Sequence, residues 1–171
     1  DGTYNWSNMY SRIRSANMAI EKLPAATFTN TTLRDRLLGE ALFMRAYYYH
    51  QLVRYYGSVP LIMKVYTLGE DYNMSRNTFE ECVNAIVADC DKAAELLAGK
   101  TEIKGRATKL AALTLKSRML TYAASDLHDV NKMKAKSSEL GSYEKVEYLA
   151  YTSGDQKSRW QAALAASKAA L

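Results

Sequence analysis

The sequence predicts an all-α fold of helical hairpins joined by long loops. Composition points there first. Alanine occurs 24 times and leucine 19 times, while valine and isoleucine together number 12. Alanine and leucine lose little in a helix, whereas β-branched residues suit a pleated sheet. Only two prolines interrupt the 171 residues. Spacing agrees: apolar residues recur at three and four positions through five stretches, the period of one helix face.

The first helix is expected from about Tyr4 to Leu23. Trp6, Met9, Ile13, Ala16, Ile20 and Leu23 form its stripe, and Pro24 stops it. A polar stretch, residues 27–32, leads to the second helix, about Leu33 to Tyr56. Leu38, Leu42, Arg45, Tyr49, Leu52 and Tyr56 share one face there, widened by Ala41, Tyr48 and Val53. Gly57 suits a helix C-terminus because it takes positive φ without a Cβ clash, and Pro60 blocks continuation. Residues 57–77 read as an ordered connection, apolar and extended over Val59–Met63, with a surface turn at Gly69–Asn73.

The third helix opens on a capping box, Thr78 with Glu81 three residues later. Phe79, Val83, Ile86, Cys90, Ala93 and Leu97 make its stripe, and Gly99 closes it. The fourth opens near Gly105–Thr108 and runs through Leu110, Ala111, Thr114, Leu115, Met119 and Tyr122 to about Ser125. Residues 126–154 lack a period, and a connection that long is either functional, an ordered excursion or mobile. The last helix starts near Asp155 with Trp160, Ala163, Leu164, Ser167 and Leu171 on one side. That stripe is still apolar at Leu171. It needs a covering surface, so the chain is expected to be a piece of a larger protein.

The elements thus pair as 4–57 and 78–125, with half a pair at 155–171. Each pair buries its stripe against the next, the physics of a helical-hairpin solenoid. The anchors Trp6, Phe79 and Trp160 repeat at far wider intervals than the roughly 34 residues of a plain tetratricopeptide array. Long insertions are therefore expected, and insertions on one face tend to carry binding.

Charge and special residues exclude more than they identify. The net charge is +5, but Lys and Arg are dispersed. The densest group, Lys132, Lys134 and Lys136, is expected in a loop, so nucleic acid is not an expected partner. Cys82 and Cys90 share a helix with Cα atoms ~12 Å apart, too far for a disulfide. They read as small buried residues. The two histidines, His50 and His128, lie apart, and no nucleophile or phosphate motif is present. Asp126, His128 and Asp129 match no metal-site spacing and read as a solvated loop. Arg106-Ala-Thr-Lys109 at a helix start reads as an ordinary first turn before an anion site. Neither catalytic residue, metal nor cofactor is expected.

Arg45, on an apolar stripe, reads as structural. A buried guanidinium demands a carboxylate; Glu40 is poorly spaced, and Asp89 on a neighbouring helix is the expected partner. Asn17 reads as a helix-to-helix hydrogen bonder. The 13 tyrosines are the third compositional skew. Tyr47, Tyr48, Tyr49, Tyr55 and Tyr56 crowd one helix and read as packing. Tyr66, Tyr72, Tyr143, Tyr148 and Tyr151 lie in loops and are the candidate ligand contacts, since an aromatic face stacks on sugar C–H groups and the phenol adds a polar handle.

Four blocks carry a family resemblance. Gly39-Glu-Ala-Leu-Phe-Met-Arg-Ala-Tyr-Tyr-Tyr, then Tyr56-Gly57 and Val59-Pro60, resembles the core signature of the SusD/RagB family. Trp6, Tyr10, Ile13 and Asn17 resemble its preceding helix. Gly105-Arg-Ala-Thr with Ala111-Ala112, and Arg159-Trp160 with Ala163, Ala166-Ser-Lys168, resemble two later helices, all in the family's order. The resemblance implies a tetratricopeptide-like α–α superhelix. It implies a non-enzymatic surface lipoprotein of Bacteroidetes-type bacteria, anchored in the outer membrane by a lipid outside this stretch. Such a protein captures oligosaccharide and delivers it to a SusC-like TonB-dependent transporter. The family's glycan-contacting aromatics lie mostly beyond this stretch, so none carries over to a numbered position. The competing readings are a helical-repeat module that binds protein and, less favoured, a hydrolase domain.

Overall fold

The computed structural model describes residues 5–100 and 103–171. They form seven α-helices joined by turns and extended segments: α1 (Trp6–Lys22), α2 (Thr31–Tyr56), α3 (Phe79–Leu97), α4 (Lys109–Ala124), α5 (Val130–Lys136), α6 (Ser138–Ser142) and α7 (Gln156–Ala169). The all-α expectation holds. The expected start at Tyr4 lies outside the described residues. Asn5 caps α1 by accepting from the Asn8 amide at 2.8 Å, and Leu23–Ala25 forms a 3₁₀ turn around Pro24. Helix α2 begins two residues before Leu33 because Asn30 caps it, accepting from the Leu33 amide at 3.0 Å. Gly57 ends it with φ of 70°. The capping box of α3 is present in both halves, Thr78 Oγ1 taking the Glu81 amide and Glu81 taking the Thr78 amide.

Packing follows chain order. Helix α1 packs on α2, α2 on α3, α3 on α4, and α4 on α7. Helix α2 is buried on two faces because it lies between α1 and α3, so Gly39, His50 and Gln51 are covered along with the expected stripe. Tyr56 at its end stays exposed. All six expected stripe residues of α3 are buried. Met9, Ile13, Tyr49, Leu52, Phe79, Ile86 and Met119 anchor the main core. Leu42, Ala93, Ala94, Leu97 and Ala112 form a second cluster at the other end of the hairpins. Gly39 sets the α2–α3 approach there: a Cβ on it would stand 2.9 Å from Leu97 Cγ and 3.1 Å from Leu96 Cβ.

Beside the exposed stripe residues Trp6 of α1 and Tyr56 of α2, two helix faces differ from the expectation. On α4 the buried residues are Ala112, Leu115, Met119, Ala123 and Ala124, while Leu110 and Tyr122 are exposed. On α7 only Ala163 and Ala166 are buried, while Trp160 and Leu164, and Leu171 past the helix end, face solvent. Helices α4 and α7 pack on each other with alanines among their buried residues, and the Ser117 and Ser167 hydroxyls lie 2.8 Å apart.

Residues 126–154 are an ordered excursion. Lys132, Lys134 and Lys136 stand on α5 and not in a loop; Asp129 caps that helix, accepting from the Asn131 and Lys132 amides at 3.1 Å. The returning chain bonds back through Val130 N–H to Tyr151 O (3.2 Å) and Tyr151 N–H to His128 O (3.0 Å). The Ser58 amide donates to Tyr148 O at 2.9 Å, which fastens the excursion to the end of α2.

Candidate functional site

A buried polar knot organises the surface loop that carries the first two candidate tyrosines. Segment 59–64 runs extended without a sheet partner, so its backbone groups must find other partners. Side chains from α1, α2 and the chain before α3 supply them. Tyr10 donates to Pro60 O at 2.7 Å. Asn17 Nδ2 donates to Ile62 O (2.7 Å) and Lys64 O (3.1 Å). Tyr49 accepts from the Ile62 amide at 2.6 Å and donates to Ile62 O at 3.0 Å. Asn77 accepts from the Leu61 amide at 2.8 Å. Burial pushes both phenols well above the ordinary tyrosine range, so they stay protonated donors.

Arg45 ties the knot to α3. Its guanidinium makes a two-pronged ion pair with Asp89, both bonds 2.7 Å, and donates to Asn17 Oδ1 at 2.9 Å. The expected roles of Arg45, Asp89 and Asn17 are thus realised. Glu40 takes Arg106 instead, with Nε to Oε1 at 2.7 Å. That pair occupies the guanidinium of the Arg106–Lys109 stretch.

Beyond the knot, residues 64–74 form a surface loop pinned by Arg14, which donates to Tyr66 O at 3.3 Å. Tyr66 and Tyr72 pack with ring centroids 5.4 Å apart and planes at 51°. Lys64 Nζ lies 4.6 Å from the Tyr66 ring centre. Tyr66 donates to Met74 Sδ at 3.0 Å and Tyr72 to Thr67 O at 2.7 Å, so both rings are held in place. Glu70 gathers Lys64, the Thr67 hydroxyl and the Thr67 amide. These bonds bring its carboxyl down to about 2, Lys64 contributing most. The result is an aromatic surface with fixed ring angles, flanked by a cation and an anion.

The other candidates are not brought to that loop. Tyr143 is exposed beyond α6, and Tyr148 is half-buried. Tyr151 is a core residue at 9% exposure. It stands edge-on to Phe79 with centroids 5.7 Å apart, under the Arg159 guanidinium at 4.7 Å. A further aromatic surface escapes the sequence reading: Trp6 meets Tyr56 edge-on at 5.3 Å, both partly exposed. The signal was present, since an antiparallel hairpin sets the first turn of α1 beside the last turn of α2.

Among the described residues the histidines and acids do not assemble a reactive centre. His128 stacks on Phe79 at 4.1 Å, and burial lowers its pKa. Asp129, expected in a solvated loop, is buried because it caps α5 and pairs with Arg159. Burial raises the thiols of Cys82 to about 11 and Cys90 to about 12, which leaves them protonated and inert. Among the described residues no group of His, Cys, Asp and Glu has the arrangement of a metal site, and no helix is long and apolar enough to cross a membrane.

The fold and surface define a class: a helical-hairpin scaffold that displays aromatic loops and lacks an assembled reactive centre among its described residues. Residues 1–120 match the protein-family pattern for SusD-like proteins described as starch-binding and associating with the outer membrane. The chain belongs to the SusD-like family. It is 32% identical over 120 residues to a SusD-like protein, P38, of Formosa agariphila, a match spanning 68% of this chain and 22% of that protein. A SusD-like protein from Bacteroides fragilis superposes with a TM-score of 0.66 at 34% identity, over 80% of this chain and 27% of the other. A laminarin-binding SusD-like protein superposes with a TM-score of 0.65 at 25% identity, over 82% and 30%. The chain thus spans less than a third of the length of these relatives.

Proposed function

We propose that the chain is the helical scaffold of a non-enzymatic glycan-binding protein. It works at the outer membrane, held by a lipid anchor, and delivers oligosaccharide to a SusC-like TonB-dependent transporter. The family match over residues 1–120 carries this reading, and the fixed Tyr66–Tyr72 pair adds a local contact consistent with it. Paired aromatic rings offer flat apolar faces to pyranose C–H groups, while Lys64 and Glu70 offer charged hydrogen-bond partners at the rim. Tyr143 and the half-buried Tyr148 remain candidates from the same reasoning.

The test is a polysaccharide panel on the full-length protein by affinity electrophoresis and calorimetry, with co-purification of the transporter from membranes. Binding to at least one neutral glycan without loss of chain length is the expected result. Silence across the panel with retained protein partners moves the function to a protein-binding helical module. Release of shorter oligosaccharides overturns the non-enzymatic reading.

A further inference from the structure

A cavity of about 330 Å³ opens between the end of α2 and the excursion, on a different part of the surface from the Tyr66 loop. Its size falls at the lower end for small-molecule sites. Carbon and sulfur dominate the wall: Val53, Phe79, Met119, Met133, Leu140 and Leu149. A pyranose would leave most of its hydroxyls unpaired there, so this is not a second sugar site.

Four residues bring polar atoms to the apolar lining, His50, Arg54, Tyr122 and His128; the His128 Nδ1 already pairs with Leu149 O at 2.7 Å. His50 is 4% exposed, and its Nδ1 has no hydrogen-bond partner. A buried polar group without a partner needs an explanation, an absent ligand among them. The imidazole is neutral: burial, then Arg118, then Arg54 bring its pKa to about 4. The charge at the cavity is therefore that of the Arg54 guanidinium, with Arg118 near enough to act on His50. Arg54 and Arg118 are both exposed, and among the described residues neither stands in an ion pair. An apolar chamber beside uncompensated positive charge complements a molecule with an apolar body and one anionic head.

We infer that the cavity binds an amphipathic monocarboxylate, its apolar body among Phe79, Met119 and Met133 and its carboxylate against Arg54. The body is either an alkyl chain or an aromatic ring, and both are tested. The full-length protein, labelled with ¹³C at its methionine methyls, is titrated separately with octanoate and with 4-hydroxycinnamate, and with octanol as the neutral control. The Met119 and Met133 methyls shift saturably with at least one carboxylate, and the Met9 methyl, in the core beside α2, stays fixed as a folding control. Arg54→Ala weakens the carboxylate about fivefold, the factor of one exposed ion pair, and leaves octanol binding unchanged. Leu140→Trp fills the cavity and removes both. Absence of any shift up to the solubility limit overturns the assignment. So does a carboxylate affinity indifferent to Arg54→Ala, or octanol binding as tightly as octanoate. Glycan binding by the same protein is read independently, so failure here leaves the sugar reading standing.

Discussion

Arg45 and Asp89 show how one buried pair fixes a hairpin interface. Their side chains are 8% and 7% exposed, so neither charge has water to fall back on. Asp89→Ala leaves a guanidinium buried without its counter-ion and is expected to cost about 3–5 kcal/mol, measured by denaturant unfolding of the full-length protein. Replacing both, Arg45→Met with Asp89→Leu, is expected to cost far less, because no charge is stranded. His50 gives the residue-scale pH effect. Its folded pKa, near 4, lies below the ordinary value of 6.5. The unfolded chain therefore binds the extra proton between those values, and stability rises with pH across that window. The stabilisation is complete above pH 6.5 and is lost as pH falls toward 4. His50→Leu is expected to flatten that part of the stability profile; an unchanged slope would mean that other groups set it.

At the scale of elements, caps and close contacts decide where helices stop and how near they lie. Thr78→Ala removes half of a complete capping box and is expected to cost ~1 kcal/mol, again by denaturant unfolding. Gly39 presents the opposite case. Alanine has the better helix propensity by ~1 kcal/mol, yet its Cβ would meet Leu97 Cγ at 2.9 Å. Overpacking costs ~1–3 kcal/mol, so Gly39→Ala is expected to lower the melting temperature. A rise would show that α2 and α3 separate freely. The α3 stripe was fully legible because it is amphipathic and covered along one continuous face. The α7 face was not. Large apolar residues ordinarily mark the buried side, but here alanines allow the approach and Trp160, Leu164 and Leu171 stay in solvent. The excursion was illegible for a different reason: α5 and α6 are too short for a period, and their starts rest on single caps, Asp129 and Ser137.

For the whole molecule, the fold class was readable from composition and five periodic stretches, and the family from four blocks in order between Trp6 and Lys168. The candidate site was readable only in part. Loop position singled out Tyr66 and Tyr72 together with Tyr151, but nothing local reveals that Tyr151 folds back onto Phe79 from 72 residues away. Long-range return is invisible to periodicity. The same limit hid the cavity lined by α2, α4 and the excursion. At this scale the glycan reading makes a direct prediction. Tyr66→Ala with Tyr72→Ala is expected to weaken binding of a recognised oligosaccharide about tenfold or more, since each aromatic contact carries about 0.5–1.5 kcal/mol, with unfolding stability unchanged. Calorimetry on the full-length protein checks it, and equal affinity would move the contact to other aromatics.

The extended segment 59–64 has an implication for the order of folding. A strand in a sheet can zip up beside its neighbour, but this one has no neighbour to copy. The Ile62 amide rests on a tyrosine of α2, and its carbonyl on an asparagine of α1. Those partners exist as a set only after the first two helices have docked. The segment is thus a late arrival, and its exchangeable protons act as a clock for that docking. The Ile62 amide, bonded to Tyr49 in a segment that Tyr10 and Asn17 hold to α1, should exchange only as fast as that segment lifts from both helices, although it belongs to neither a helix nor a sheet.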